Sequence, residues 1–188
     1  MATYTAEVIW SLNPGEDFAN GRYSRAHTVS FDGGVTVPAS ASPHVVGKWA
    51  DPAAVDPEEM LVAALSNCHM LTFLHKARLA GFQIARYVDH AEGIMDEVEP
   101  GRSAVTQVWL KPDITWTGPA PTQEQLADLH HAAHLECYIA NSVKTEVTVS
   151  AWGPLKGRET ELRSGLTVEP FSTLVAIAGS ICGEREVG

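Results

Sequence analysis

Two of the three cysteines lie where a thiol could take part in redox chemistry. Cys68 is in the middle of a long apolar segment, and Cys137 follows a histidine-rich stretch. A single buried cysteine most often packs as a small apolar side chain, so each residue taken alone has a structural explanation. Cys182 lies apart from any cluster of functional groups in the sequence, and we assign it no role.

The histidines that precede Cys137 give a metal-binding alternative. In a helix, His130, His134 and Cys137 share one face, because residues three and four apart are neighbours. Cys68 or His69 would complete a tetrahedral Zn²⁺ site. His69 can equally be a core or surface histidine that makes one hydrogen bond. The spacing alone is weak evidence for a metal, since pairs of histidines four apart are frequent by chance.

A sharply defined helix positions Cys68. Asp56 is suited to cap this helix, Pro57 fits its first position, and Glu59 completes a capping box with the cap residue. We predict that the helix ends just before Gly81, a natural C-terminal stop. Apolar residues cover every side of it, so we expect it to be buried all round, in a core or in a subunit interface.

The remaining segments are predicted to be strands and one more helix. The strands are 3–10, 24–31, 35–37, 84–95, 104–116 and 145–152, and the second helix runs from 122 to about 136. This order of elements is typical of an α+β fold. We predict one domain over residues 1–153. Residues 154–188 are predicted to be an appendage that is partly disordered or docks on a partner subunit.

Composition narrows the class of partner. The 188 residues are 45% hydrophobic and 19% charged, as in ordinary globular proteins. Thirteen Lys and Arg against 23 Asp and Glu give a net charge of −10, so we expect neither nucleic acid nor a membrane as a partner. We find no signal-peptide pattern and no apolar run of the roughly 20 residues that a membrane span needs. We therefore expect a cytoplasmic protein with reduced thiols.

The segment around Cys68 resembles the signature of the osmotically inducible protein C and organic hydroperoxide resistance family. In that family a Pro-Glu pair opens the central helix, and the reactive cysteine lies ten residues after the glutamate. Pro57, Glu58 and Cys68 have this spacing, within Asp-Pro-Glu-Glu-Met-Leu at 56–61 and Ser-Asn-Cys at 66–68. The motif begins with aspartate here, where the family has asparagine.

A second motif agrees with the same family. Cys137 on a later helix, Ser142 in a hydroxyl-rich turn and a strand from Thr145 match the family's order. Tyr138 replaces the proline that usually follows the second cysteine, and the histidines are not part of the general signature. The resemblance covers about residues 3–152. It implies antiparallel sheets, a long buried central helix, a second helix and an intertwined homodimer.

The resemblance implies a thiol peroxidase that acts on organic hydroperoxides and requires no metal or organic cofactor. In the implied cycle, Cys68 attacks the peroxide O–O bond and becomes a sulfenic acid. Cys137 then forms a disulfide with it, and an external dithiol reduces the disulfide. The apolar surroundings expected from the central helix favour organic hydroperoxides over hydrogen peroxide.

A thiolate in apolar surroundings needs a cation beside it, because burial raises the pKa of a thiol. The family supplies an arginine from the loop before the hairpin, held by the helix-opening glutamate. Arg22 and Arg25 both qualify here, and we prefer Arg25, which directly precedes the hairpin strand. Glu58 lies about 15 Å along the helix from Cys68. If it acts, it does so by orienting the arginine, at a site that two subunits share.

A third hypothesis is a non-catalytic family member that uses the same dimer to bind an apolar ligand. Replacing Cys68 with serine would separate the three. Peroxidase activity vanishes under the first hypothesis, metal content falls under the second, and neither changes under the third.

Overall fold

The described part of the chain combines short strands with two long helices. In this computed structural model residues 1–150 are described, so the predicted appendage, with Cys182, lies outside the described residues. The strands are β1 (Ala6–Ile9), β2 (His27–Phe31), β3 (Thr36–Ala39), β4 (Ile84–Asp89), β5 (Glu92–Glu99), β6 (Arg102–Leu110), β7 (Pro112–Trp116) and β8 (Glu146–Val149). The helices are α1 (Pro43–Val46), α2 (Pro57–Leu79) and α3 (Gln123–Glu136), with 3₁₀ turns at Gly47–Trp49 and Ala140–Ser142. No helix within residues 1–150 is long and apolar enough to span a membrane.

The central helix α2 begins and ends as the sequence predicts. The Asp56 side chain accepts a hydrogen bond from the Glu59 amide at 2.7 Å, and Glu59 Oε2 accepts one from the Asp56 amide at 3.0 Å. This reciprocal capping box gives partners to two amides at the helix start. Gly81 follows the helix with a φ of +86°, a left-handed conformation that favours glycine.

One stripe of α2 forms the centre of the core. Its buried residues lie four apart on one face: Leu65, His69, Phe73 and Ala77. Leu71 and Leu79, by contrast, are 59% and 62% exposed in the single chain. The helix therefore has one face in the core of its own chain and further apolar residues that the described part of the chain leaves exposed.

The strands form three small sheets. β1, β2 and β3 make an antiparallel sheet in that order, with a turn at 32–34 between β2 and β3. β4 pairs with β7 and β5 pairs with β6, both antiparallel. β8 pairs with β6 in parallel, which the expectation of antiparallel sheets did not include. The α+β class with a long central helix is confirmed.

Two segments that we predicted as single strands are each divided. The segment 84–95 becomes β4 and β5, and 104–116 becomes β6 and β7. Near both breaks, Asp89 Oδ1 accepts a hydrogen bond from the Lys111 amide at 2.5 Å. Pro112 follows, and it has no amide hydrogen to donate to a ladder. The prediction of single strands is wrong because a side-chain hydrogen bond and a proline interrupt the backbone pairing here.

The helix α2 packs against both a sheet and α3. One buried cluster joins it to β6 and β8 through Leu65, Val108, Leu110 and Val147. A second cluster joins it to α3 through Phe73, Ala77, Leu129 and Ala133. Residues 65 and 73 of the same helix thus belong to different clusters, and Cys68 lies between them along the chain.

Gly93 allows β5 to approach α2 closely. A methyl group added to Gly93 would lie 2.6 Å from Val62 Cγ2 and 3.4 Å from Val105 Cγ1. The first distance is too short for two carbon atoms, so strand and helix can keep this spacing only with glycine at position 93.

We predict that Gly93→Ala lowers the free energy of unfolding by about 1–3 kcal/mol, because the strand or the helix must shift to make room. Urea unfolding at one protein concentration measures the change. Gly118→Ala is the control, since nothing lies within 4 Å of a methyl group added there, and it should change stability by less than about 0.5 kcal/mol. Equal effects of the two substitutions would contradict the steric explanation.

Candidate active site

The helix α3 carries Cys137 at its C-terminal end. Its start is fixed by a capping box in which Thr122 Oγ1 accepts a hydrogen bond from the Gln125 amide at 3.2 Å. At its other end the chain leaves the helix at Cys137, whose ψ is 107° and whose amide donates to the His134 carbonyl at 3.2 Å. Cys137 therefore lies at a defined turn between α3 and the 3₁₀ turn that follows.

The structure brings Cys68 and Cys137 together. Cys68 projects from the middle of α2 and is half-buried, whereas Cys137 is only 1% exposed. Both are free thiols, and their side chains are hydrogen-bonded to each other. Two residues that are 69 positions apart in the sequence thus meet at the packing interface of α2 and α3.

The surroundings of Cys137 keep its thiol protonated. Burial raises its pKa to about 11, and the hydrogen bond with the Cys68 side chain acts in the same direction. The amide of Ala140, 3.5 Å from the sulfur, and that of Ile139 oppose this rise only in part. At neutral pH Cys137 is therefore a thiol, and the half-buried Cys68 is the more accessible sulfur of the pair.

The structure does not bring Arg25 to the cysteines within one chain. Its guanidinium stacks 3.4 Å above the Tyr23 ring, and its Nη1 donates to the Tyr23 carbonyl at 2.5 Å. Trp10 and Phe18 pack against the same ring at centroid distances of 5.3 and 4.8 Å. Arg25 also lines a small pocket with Pro57, the first residue of α2. The side chain is thus held near the start of the central helix.

Arg22, the other candidate cation, has a different environment. Its side chain is exposed, and its amide and carbonyl pair with the backbone of Asp17 at 2.9 and 3.0 Å. Arg25 is half-buried and packed on an aromatic ring. Of the two arginines, Arg25 is therefore the one with a fixed side chain.

Glu58 lies in an open cleft beside α2. The cleft has a volume of about 1150 Å³, and the α2 side of it includes Glu58, Val62, Ser66 and Met70. One carboxylate oxygen of Glu58, Oε2, is buried and has no hydrogen-bond partner within residues 1–150. A buried carboxylate oxygen without a donor is costly, so this position is suited to a cation that residues 1–150 of one chain do not supply.

A buried pair of histidines joins the same two helices. His69 Nε2 lies 3.1 Å from His130 Nδ1, and the two side chains are 1% and 4% exposed. Sequence reasoning named both residues as candidate metal ligands and allowed His69 to be a core histidine with one hydrogen bond. It did not find their contact. The only sequence signal is a histidine at a core position on each helix.

The histidines and cysteines do not form a metal site in the described residues. No group of three or more His, Cys, Asp or Glu side chains within residues 1–150 has the arrangement needed to hold a metal ion. The hydrogen bond between the two histidine rings occupies one nitrogen of each ring. The zinc hypothesis is therefore not supported by the geometry.

Burial makes the folded protein sensitive to acid. It lowers the pKa of His69 to about 4 and that of His130 to about 3, and each ring would also repel positive charge on a neighbouring histidine. The unfolded chain, with histidine pKa values near 6.5, binds more protons below that pH than the folded chain does. Stability is therefore fully present above pH 6.5 and is lost progressively as the pH falls towards 4.

We predict that the free energy of unfolding falls between pH 6 and 4.5 by up to about 1.4 kcal/mol per pH unit for each of the two histidines. Urea unfolding across this range measures the slope. The double variant His69→Leu/His130→Leu should have a clearly shallower slope. His75→Gln, an exposed position on the same helix, should keep the wild-type slope. Identical slopes in the wild type and the double variant would disprove the assignment.

Comparisons with known proteins agree on one family. The family described as OsmC-like protein matches residues 50–151. An OsmC-like protein of unknown function from Vibrio cholerae shares 47% sequence identity, with a TM-score of 0.77 over 80% of this chain and 99% of that one. No match was found among curated proteins.

More distant structures share the fold. An organic hydroperoxide resistance protein from Elizabethkingia anophelis has 20% identity and a TM-score of 0.59, covering 79% of this chain and 93% of that one. The organic hydroperoxide resistance protein OhrB of Bacillus subtilis has 18% identity and a TM-score of 0.56, covering 79% and 95%. The fold of the described residues is thus that of the hydroperoxide resistance proteins.

Proposed function

Because this chain belongs to the OsmC-like protein family, we propose that it is a thiol-dependent peroxidase that reduces organic hydroperoxides to alcohols. The observation that carries the proposal is the contact between the Cys68 and Cys137 side chains. Relatives named for organic hydroperoxide resistance share the fold and support the substrate class. The resemblance of both cysteine motifs to the family is the third support.

In the first step Cys68 is the nucleophile. Its thiolate attacks one oxygen of the hydroperoxide and the O–O bond breaks. The other oxygen leaves as an alkoxide and takes a proton to become the alcohol. Cys68 is then a sulfenic acid, oxidised by two electrons. Cys137 is the poorer nucleophile for this step, because its thiol is buried and its pKa is raised to about 11.

In the second step Cys137 attacks the oxidised sulfur. Its proton and the sulfenic hydroxyl leave together as water, and a disulfide forms between Cys68 and Cys137. The two side chains are already in contact in the reduced protein, so this step needs little rearrangement. An external dithiol then reduces the disulfide. A transient disulfide of this kind suits a reducing compartment, and we propose a cytoplasmic location.

The complete site is proposed to form in a homodimer. Within residues 1–150, β1 and β5 bury no residue, and large apolar side chains are exposed on the helices and strands. They include Val8, Ile9, Leu71, Leu79, Ile94 and Met95. A partner subunit would cover these residues, since globular monomers seldom expose large apolar patches.

The dimer would also complete the cation site. Among the described residues of one chain, Glu58 Oε2 is buried without a donor, and Arg25 is held near the start of α2 but away from Cys68. We propose that Glu58 and Arg25 meet in the assembled dimer and that the guanidinium then stabilises the Cys68 thiolate. Glu58 is a positioning residue here, since a carboxylate beside the sulfur would favour the protonated thiol.

We predict that one equivalent of cumene hydroperoxide lowers the thiol titre of the reduced protein from three per chain to one. Cys68→Ser should lose no thiol and have no peroxidase activity. Cys137→Ser should still release one equivalent of alcohol but form no intramolecular disulfide. Cys182→Ser is the matched control and should keep full activity with a titre that falls from two to zero. An unchanged titre in the wild type would refute the cycle.

We predict that Arg25→Met slows oxidation of Cys68 by about 10²-fold at pH 7, because the thiolate loses its cation. The loss relative to the wild type should shrink as the pH rises towards 10. Glu58→Gln should give a smaller loss of the same kind. Arg22→Met is the control and should retain the wild-type rate. Stopped-flow measurement of single turnovers from pH 6 to 10 tests the rate and its pH dependence for all three variants. A large effect of Arg22→Met with none of Arg25→Met would reverse the assignment.

A further inference from the structure

A second buried polar contact joins α2 to α3, and the peroxidase cycle does not use it. His69 Nε2 lies 3.1 Å from His130 Nδ1, with both side chains buried. The two rings are nearly parallel, at an angle of 12°. The Phe73 ring stacks on His130 with a centroid distance of 4.2 Å. Packing therefore holds both rings in the orientation that the hydrogen bond needs.

The position of this contact relative to the cysteines is informative. Cys68 and His69 are consecutive residues of α2, yet their partners Cys137 and His130 are seven residues apart along α3. Seven residues span about 10 Å of a helix. The two contacts thus tie one site on α2 to two separated points of α3, and together they limit pivoting of α3 about either point.

A disulfide needs accurate placement of its two residues. The Cβ atoms must lie about 3.5–4.5 Å apart, and deviations store strain in the bond. A small rotation of α3 about His130 would move Cys137, at the end of the helix, further than it moves the residues next to His130. The exposed ion pair of Lys76 with Glu136 also links the helices, but exposed ion pairs constrain little because water screens them.

The hydrogen bond has a defined direction. His69 Nδ1 is buried and has no partner within residues 1–150. An N–H group there would be left without an acceptor, which is more costly than a lone pair without a donor. His69 therefore carries its proton on Nε2 and donates it to His130 Nδ1. The contact requires a donor at the Nε2 position of residue 69 and an acceptor at the Nδ1 position of residue 130.

We propose that His69 and His130 are positioning residues whose hydrogen bond sets the separation of Cys68 and Cys137, and hence the ease with which their disulfide forms. The biological purpose of this arrangement rests on the proposed peroxidase function. The proposal itself concerns a physical quantity, the effective concentration of the Cys68 thiol at Cys137. This concentration can be measured without any peroxide.

The experiment equilibrates the full chain carrying Cys182→Ser with glutathione buffers. Glutathione disulfide oxidises the two protein thiols, which form a disulfide, and is itself reduced to two molecules of glutathione. The ratio of oxidised to reduced protein, determined by thiol alkylation, gives the effective concentration. Circular dichroism and thermal unfolding establish that each variant is folded.

Two amide substitutions on each helix give matched variants. The amide group of asparagine occupies the place of histidine Nδ1, and that of glutamine reaches the place of Nε2. His130→Asn and His69→Gln therefore keep the hydrogen bond, and their effective concentrations should stay within threefold of the wild type. The polar group is misplaced in His130→Gln and in His69→Asn. The effective concentration of the two thiols should fall at least tenfold in each of these variants. Lys76→Met, which removes the exposed link, should change the value less than twofold.

The pattern among these variants decides the proposal. Similar values for asparagine and glutamine at position 130 would overturn it, as would a loss in His69→Gln equal to that in His69→Asn. If one variant of a pair fails to fold, the pair on the other helix carries the same contrast. A wild type that forms the disulfide with glutathione but consumes no cumene hydroperoxide would refute the peroxidase function and leave this inference standing.

Discussion

The buried ring of Phe73 joins the central helix to the sheet and to the helix that carries Cys137. Phe73 is fully buried and contacts Tyr87 of β4, Trp116 of β7 and His130 of α3, at centroid distances of 5.8, 6.5 and 4.2 Å. It therefore joins the central helix to a sheet and to the second helix at one point. Truncating a buried ring of this kind typically costs about 3–5 kcal/mol. The placement of α3, and with it of Cys137, depends on this junction.

The chemistry follows from what that junction brings together. Cys68 and Cys137 belong to helices that begin 66 residues apart in the sequence, and only tertiary packing makes them neighbours. The same packing that brings the sulfurs together also removes water from one of them, so Cys137 remains protonated and Cys68 is left as the more accessible sulfur. Burial thus distinguishes two chemically identical groups, and this difference sets the order of steps in the proposed cycle.

Local signals in the sequence were sufficient for the main elements. The capping boxes at Asp56 and Thr122 and the glycine at 81 fixed both long helices, and the two cysteine motifs indicated the family. What could not be predicted depends on contacts between distant residues. The division of the long strands needs Asp89 to reach the Lys111 amide. The contact of His69 with His130 needs α3 to lie against α2, and the position of Arg25 depends on the ring of Tyr23.

The stacking of Arg25 has a consequence for the entropy of assembly. A free arginine side chain gives up about 2 kcal/mol of rotamer freedom when it is fixed. In this structure of one chain, the tyrosine ring and the Tyr23 carbonyl already immobilise it. That ordering is completed when the chain folds, so a carboxylate that later meets the guanidinium encounters a group with few conformations left to lose. The aromatic cluster around Tyr23 would thereby reduce the entropy lost by Arg25 if the proposed dimer forms.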